Sequence, residues 1–236
     1  MEFRGEEAVR ATGRRVAAIV AHPDDEVLGC GGTLRRHVLA GDHVSIVILA
    51  DGETSRGGGA ADAPARRKAA AHQAASILGV PHLTIHDLPD NRLDTVALLD
   101  IVKLVEGHIA EIKPDRVYTH HSGDVNLDHR RVHDAVVTAC RPQPGHPVKT
   151  VLCFETASST EWQFPHSAPP FLPNWFVDIS ATLGAKLEAL RAYGDEMRDW
   201  PHARSYRAIE HLARWRGASV GCAAAEAFIL GRKLED

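Results

Sequence analysis

Residues 16–34, VAAIVAHPDDEVLGCGGTL, decide how this chain folds. VAAIVA (Val16 to Ala21) is a short, apolar, β-branched run, the signature of a buried strand. It breaks into a polar turn, passes Gly31 and Gly32, and continues as TLRRHVLA, which has helical character up to its stop at Gly41. The same unit of buried strand, polar loop and helix recurs downstream. HVSIVILAD (His43 to Asp51) reads as a second strand, GETSRGGGAADAP as a Gly-rich loop, and Ala65 to Leu78 as an Ala-rich helix ended by Gly79. PHLTIHDL suggests a third strand, Asp94 to Ile112 a helix stopped by Pro114, and RVYTHH (Arg116 to His121) a fourth strand. HRRVHDAVVTAC (His129 to Cys140) fits a helix and VKTVLCFET (Val148 to Thr156) a fifth strand. This alternation predicts an α/β, Rossmann-like architecture: a mostly parallel sheet flanked by helices on both faces.

The remainder reads as an elaboration of that core. Ala157 to Trp175, rich in Ser, Pro and aromatics, is expected to be an irregular lid or pocket wall. Two late helices, about Ala181 to Met197 and Ser205 to Gly217, are expected to pack on the sheet's flank. The expectation is one domain over residues 1–236, with 157–236 forming the lid and flanking helices.

Composition narrows the class. With 44% hydrophobic and 25% charged residues and a net charge of −4, the chain looks like an ordinary globular protein without the basic surface of a nucleic-acid binder. No apolar run approaches the ~20 residues that span a bilayer, and the N-terminus lacks the apolar core of a secretory signal. A cytoplasmic location is the default expectation. Cys30, Cys140, Cys153 and Cys222 are far apart, form no CxxC pair and read as buried thiols. The 15 histidines, several beside aspartate, are the anomaly and point to metal or acid–base chemistry.

In open α/β sheets ligands bind beyond the carboxyl ends of the strands. Three polar clusters fall there: AHPDDE (Ala21 to Glu26) after strand one, DGETSR (Asp51 to Arg56) after strand two, and THHSGDVNLDHR (Thr119 to Arg130) after strand four. His22 and Asp25, separated by a turn at Pro23, can converge on one ion, and His129 would complete a His/Asp/His set. Three protein ligands and an open position is the arrangement of catalytic zinc. For HPDD in isolation, capping of the next helix by Asp24 and Asp25 is an equal alternative; the third cluster favours a metal. A carboxylate outside the ligand set, here Asp24, can then take the proton of an attacking water.

AHPDDEVLGCGGTL, DGETSR and DVNLDHRRVHDAV together resemble the PIG-L/LmbE family of zinc-dependent de-N-acetylases, over roughly Val16 to Ala139. The resemblance implies Zn2+ held by His22, Asp25 and His129, Asp24 as general base, Arg56 as a substrate-binding residue, and a small-molecule N-acetylglucosamine-type substrate. Many members read H-x-D-H where this chain has Asn126-Leu127-Asp128-His129. Asn126 can donate a hydrogen bond but carries no proton at neutral pH. The proton donor is therefore open among His120, His121, His133 and His202, with His202 weakly preferred. Asp128 is expected to orient a ligand, and Asp124 to cap a helix or act at the site.

Further candidates lie in FETASSTEWQF: Glu155, placed to touch a sugar, and Trp162, placed to stack on one. Arg198 and Arg204 read either as surface ion-pair partners or as binders of an anionic substrate group. GCGG (Gly29 to Gly32) lacks full dinucleotide-binding spacing and follows an acidic turn that would repel a pyrophosphate, so close helix–sheet packing explains it better. Competing readings are a zinc amidohydrolase acting on a non-sugar acyl amide, a non-catalytic sugar-binding module of the same fold, and a non-haem iron oxygenase. The oxygenase shares a two-histidine, one-carboxylate set but normally sits in a β-barrel. Oligomeric state is open, since loops rimming such sites are often completed by a second copy in a homo-oligomer.

Overall fold

The computed structural model describes residues 13–52 and 62–235. Seven strands form one sheet in the order β3-β2-β1-β4-β5-β7-β6. The strands β1 (Arg15–Val20), β2 (His43–Ala50), β3 (His82–Leu88), β4 (Arg116–His120) and β5 (Thr150–Phe154) run parallel. The strands β6 (Trp175–Asp178) and β7 (Ala225–Lys233) close the sheet antiparallel beside β5. The sequence reading did not foresee these last two. Their residues follow irregular, half-exposed segments, and they pair at an edge that no local pattern announces.

The parallel strands are apolar on both faces because both faces are covered. In β1, Val16, Ala18 and Val20 enter one core while Ala17 and Ile19 enter the other. The first core is roofed by α1 (Asp25–Leu39), α2 (Ala63–Leu78) and α5 (Leu183–Ala192), the second by α3 (Leu98–Ile112) and α4 (Leu127–Ala139). The last helix, α6 (Tyr206–Ala218), packs against α5 and β7. Among the described residues no helix is long and apolar enough to cross a membrane.

Helix α1 starts at Asp25, well before the expected TLRRHVLA segment, and runs through GCGG with a break at Cys30 (φ −146°, ψ 19°). Gly29 is required here, because a Cβ would lie 2.2 Å from the Phe154 ring. Gly32 likewise meets Ile179 at 2.8 Å. The backbone groups freed near the break are recaptured from across the fold. Glu226 accepts the N–H groups of Gly32 and Thr33 at 2.9 and 2.7 Å, and Lys186 Nζ donates to the Leu28 carbonyl at 2.8 Å and to Glu226 at 2.6 Å. This buried pair is hydrogen-bonded on both sides, the condition under which a buried charge is tolerated. The cysteines are free, and Cys30, Cys140 and Cys153 are buried.

Candidate metal centre

β1 and β4 are neighbours at the point where the strand order reverses, the usual place for a site in such sheets. The turn after β1 delivers His22, Asp24 and Asp25, and the first turn of α4 delivers Asp128 and His129. Asp25 lies between the two histidines: its Oδ2 is 3.3 Å from His22 Nδ1 and its Oδ1 is 3.3 Å from His129 Nε2. One ligand atom from each of the three residues lies within 4.8 Å of the others. Donors about 2.05 Å from a tetrahedral ion stand about 3.3 Å apart, so these residues fit a zinc-sized cation.

The outer faces of both imidazoles are held by carboxylates, which fixes which nitrogen keeps a lone pair. His22 Nε2 donates towards Asp128 Oδ2 at 3.0 Å and Asp90 Oδ1 at 3.2 Å, leaving Nδ1 facing Asp25. His129 Nδ1 donates to Asp124 Oδ1 at 3.2 Å, leaving Nε2 facing Asp25. Asp128 is itself anchored by the N–H groups of Asn91 and Leu93 at 2.7 and 2.9 Å. Asp124 is anchored by Thr160 at 2.6 Å, by Ser159 and by the Asn126 N–H. Burial alone would lower both histidines, but the carboxylates of Asp128, Asp25 and Asp90 hold His22 well above its ordinary range. Asp25 and Asp124 likewise hold His129 at about 9. The cluster is electrostatically built to receive positive charge.

Asp24 sits beside this set, 2% exposed, with a backbone that few non-glycine residues adopt (φ 116°, ψ −28°). It occupies the N-cap position of α1, yet its side chain makes no cap bond. Its N–H goes to Glu26 Oε2 at 3.0 Å, and the Tyr193 hydroxyl holds the other Glu26 oxygen at 2.6 Å. Asp24 Oδ2 accepts from Arg204 at 3.1 Å and lies 3.5 Å from Arg67, which also donates to the Pro23 carbonyl at 2.9 Å and pairs with Glu196. Burial raises Asp24 above the usual carboxylate range, against the pull of Arg204 and Arg67.

Several sequence expectations need correction. Asn126 caps α4: its Oδ1 accepts the N–H groups of Asp128 and His129, and its Nδ2 donates one of its two protons to Asn91. His120 is fully buried, stacks on His129 at 4.0 Å and accepts the Ala21 N–H, and burial keeps it well below its ordinary range. His121 and His133 donate to the carbonyls of Pro169 and His120, both at 2.8 Å. Among the described residues His121, His133 and His202 each keep one ring nitrogen unengaged, and His202 sits beside Arg204, which bonds Asp24. His202 Nδ1 accepts the Arg204 N–H at 3.0 Å, so in the neutral ring Nε2 carries the proton.

Glu155, expected to touch substrate, is instead held by a two-pronged pair with Arg216 at 2.7 and 2.8 Å. Trp162 is 50% exposed and meets the His202 ring edge-on at 5.6 Å, which removes core packing as its explanation. Arg198 staples its own loop through the Asp195 and Met197 carbonyls, whereas Arg204 enters the site. Arg56 lies outside the described residues. Sequence reasoning missed Asp90, Arg67, Glu196 and the Glu26–Tyr193 pair. None of these carried a local signal, because each pairing joins residues far apart in the chain.

A family model described as PIG-L, GlcNAc-PI de-N-acetylase, matches residues 17–140. The chain is 33% identical over 185 residues to an uncharacterized deacetylase, YaiS, of Escherichia coli K12, which covers 75% of this chain and 89% of that protein. N,N'-diacetylchitobiose deacetylase from Pyrococcus horikoshii superposes with a TM-score of 0.75 at 21% identity, over 93% of this chain and 84% of that one. GalB, the 4-carboxy-2-hydroxymuconate hydratase of Pseudomonas putida KT2440, superposes with a TM-score of 0.73 at 22% identity, over 94% and 99%. At such identities the structural likeness establishes the fold alone.

Proposed function

Because this chain belongs to the PIG-L family of GlcNAc-PI de-N-acetylases, we propose that it is a zinc-dependent hydrolase removing the acetyl group from an N-acetylated amino sugar. The observation that carries this reading is the His22/Asp25/His129 set, spaced for a tetrahedral ion, with the carboxylate of Asp24, outside that set and paired with Arg204, buried beside it. The deacetylase relatives support amide hydrolysis. The hydratase of the same fold is the reason the substrate is argued from side chains and not from architecture.

His22, Asp25 and His129 would hold the ion, with Asp128, Asp90 and Asp124 fixing the two rings. When bound there, Zn2+ supplies a lowered water pKa and polarisation of the amide carbonyl. Asp24 takes the water's proton through the oxygen not held by Arg204, and returns it to the departing amine. Arg67 and Arg204 keep that carboxylate aimed. The Nε2–H of His202 donates to the leaving group or to a neighbouring sugar hydroxyl, and the exposed face of Trp162 stacks on the ring. In this reading residues 157–236 supply the pocket wall through Ser158, Trp162, His202 and Arg204.

The test is a screen of N-acetylated amino sugars, free and nucleotide-linked, for acetate release before and after chelation and with Zn2+ restored. Metal-restored release from one of them, abolished in Asp24→Ala, is expected. Acetate release that survives chelation, or near-normal turnover in Asp24→Ala, would overturn the assignment. So would metal retention by His129→Ala after dialysis against a chelator.

A further inference from the structure

The metal cluster uses one end of the parallel sheet. At the other end, where β4 begins, a cavity of about 480 Å3 opens between α1, β4 and β6. Three arginines line it, Arg14, Arg36 and Arg116, together with Thr33 and Trp175. The Arg116 side chain is hydrogen-bonded to the Tyr118 hydroxyl, but its Nε is buried with no hydrogen-bond partner among the described residues, and its guanidinium lies 6.0 Å from the centre of the Trp175 ring. Thr33 is 1% exposed, and its Oγ1 also lacks a partner. Two unsatisfied buried donors in one cavity call for an explanation, since nearly all such groups in folded proteins are paired.

The two carboxylates in the lining do not supply it. Asp42 is taken by His37 Nδ1 at 2.6 Å and by the Arg14 N–H at 2.8 Å. Asp178 is taken by the Ser180 N–H and hydroxyl at 2.8 and 2.6 Å. Arg36 donates to the Asp178 carbonyl at 2.6 Å. His37, held below its ordinary range by burial, spans Asp42 and the Tyr118 hydroxyl as a neutral link.

A ligand here must accept hydrogen bonds from a guanidinium and a hydroxyl and must offset positive charge. A cation fails both demands, and a neutral carbonyl leaves the charge of Arg116 unmatched. A planar guanidinium suits a phosphate or carboxylate group. We infer that this cavity is a second ligand site, binding a small oxyanion between Arg116 and Thr33. It is separate from the metal cluster: Arg116 and His120 are four steps apart on β4, about 13 Å at ~3.3 Å per residue.

Titration calorimetry of the metal-loaded chain at low salt tests this, with inorganic phosphate and acetate as separate probes. One saturable equivalent that persists after the metal is chelated is expected; the probe that binds tells whether a phosphate or a carboxylate is preferred. Arg116→Met should weaken binding at least tenfold. Thr33→Val, a near-isosteric change that leaves Arg116 in place, should weaken it at least threefold even if the first variant folds poorly. His129→Ala should leave it unchanged, because the site does not use the metal cluster. Absence of saturable heat with either probe, indifference to Thr33→Val, or loss of binding in His129→Ala would each overturn the inference.

Discussion

Asp24 combines a buried carboxylate with a backbone angle that favours glycine, and the two properties can be separated by comparing Asp24→Gly with Asp24→Ala. Both variants remove the carboxylate and leave Arg67 and Arg204 facing the same gap, so that loss cancels in the comparison. Both also keep the N–H that Glu26 accepts at 3.0 Å. What differs is the backbone at φ 116°. A Cβ-bearing residue held there stores about 1–3 kcal/mol. Glycine relieves that strain but loses about 0.4–1 kcal/mol more on folding than alanine does. Asp24→Gly should therefore be more stable than Asp24→Ala by about 1.3 kcal/mol at mid-range, and by up to about 2.6 kcal/mol, read from urea unfolding midpoints at equal slope. Both should be inactive in acetate release while still binding metal. If Asp24→Ala proved as stable as Asp24→Gly, the turn would not be strained, and function would not be what retains aspartate there. The expected order also places Asp24 among residues whose stabilisation costs activity.

Other outcomes follow from neighbouring contacts. Asp128→Ala removes the acceptor of His22 Nε2 at 3.0 Å and should weaken zinc binding about 10- to 100-fold in chelator competition; unchanged affinity would mean that Asp90 alone orients the ring. Asn126→Ala should cost about 1 kcal/mol of stability through loss of the α4 cap, and Asn126→Asp should restore most of it. If Asn126→Ala instead left stability intact and abolished turnover, its role would be chemical. His86 and His108, with Nε2 atoms 2.7 Å apart and Asp87 and Glu111 nearby, are both held below their ordinary range, chiefly by burial. Below about pH 6.5 the unfolded chain then binds more protons at these positions than the folded one, so stability falls as pH falls. The stability-versus-pH slope between about pH 7 and 5 should be shallower in His86→Gln/His108→Gln, and an identical slope would refute the coupling.

The sequence determined this protein wherever the governing physics is local. The apolar periodicity of β1 to β5 requires a sheet covered on both faces. Polar turns following apolar runs put His22, Asp25 and His129 at one edge, because side chains just beyond parallel strands have nowhere else to go. Gly29 was legible as a packing residue, since only a missing Cβ lets a helix approach a ring so closely. Tertiary structure alone decided which charges meet. Asp90 on His22, Arg67 and Arg204 on Asp24, and Glu226 with Lys186 across the break in α1 join residues from 40 to 180 positions apart. Nothing in the chain near either partner encodes such pairs. The same holds for Asn126 and Glu155. Their side chains suit a site, but a helix end and Arg216 claimed them first, because a half-buried polar group bonds to whatever the fold brings within reach.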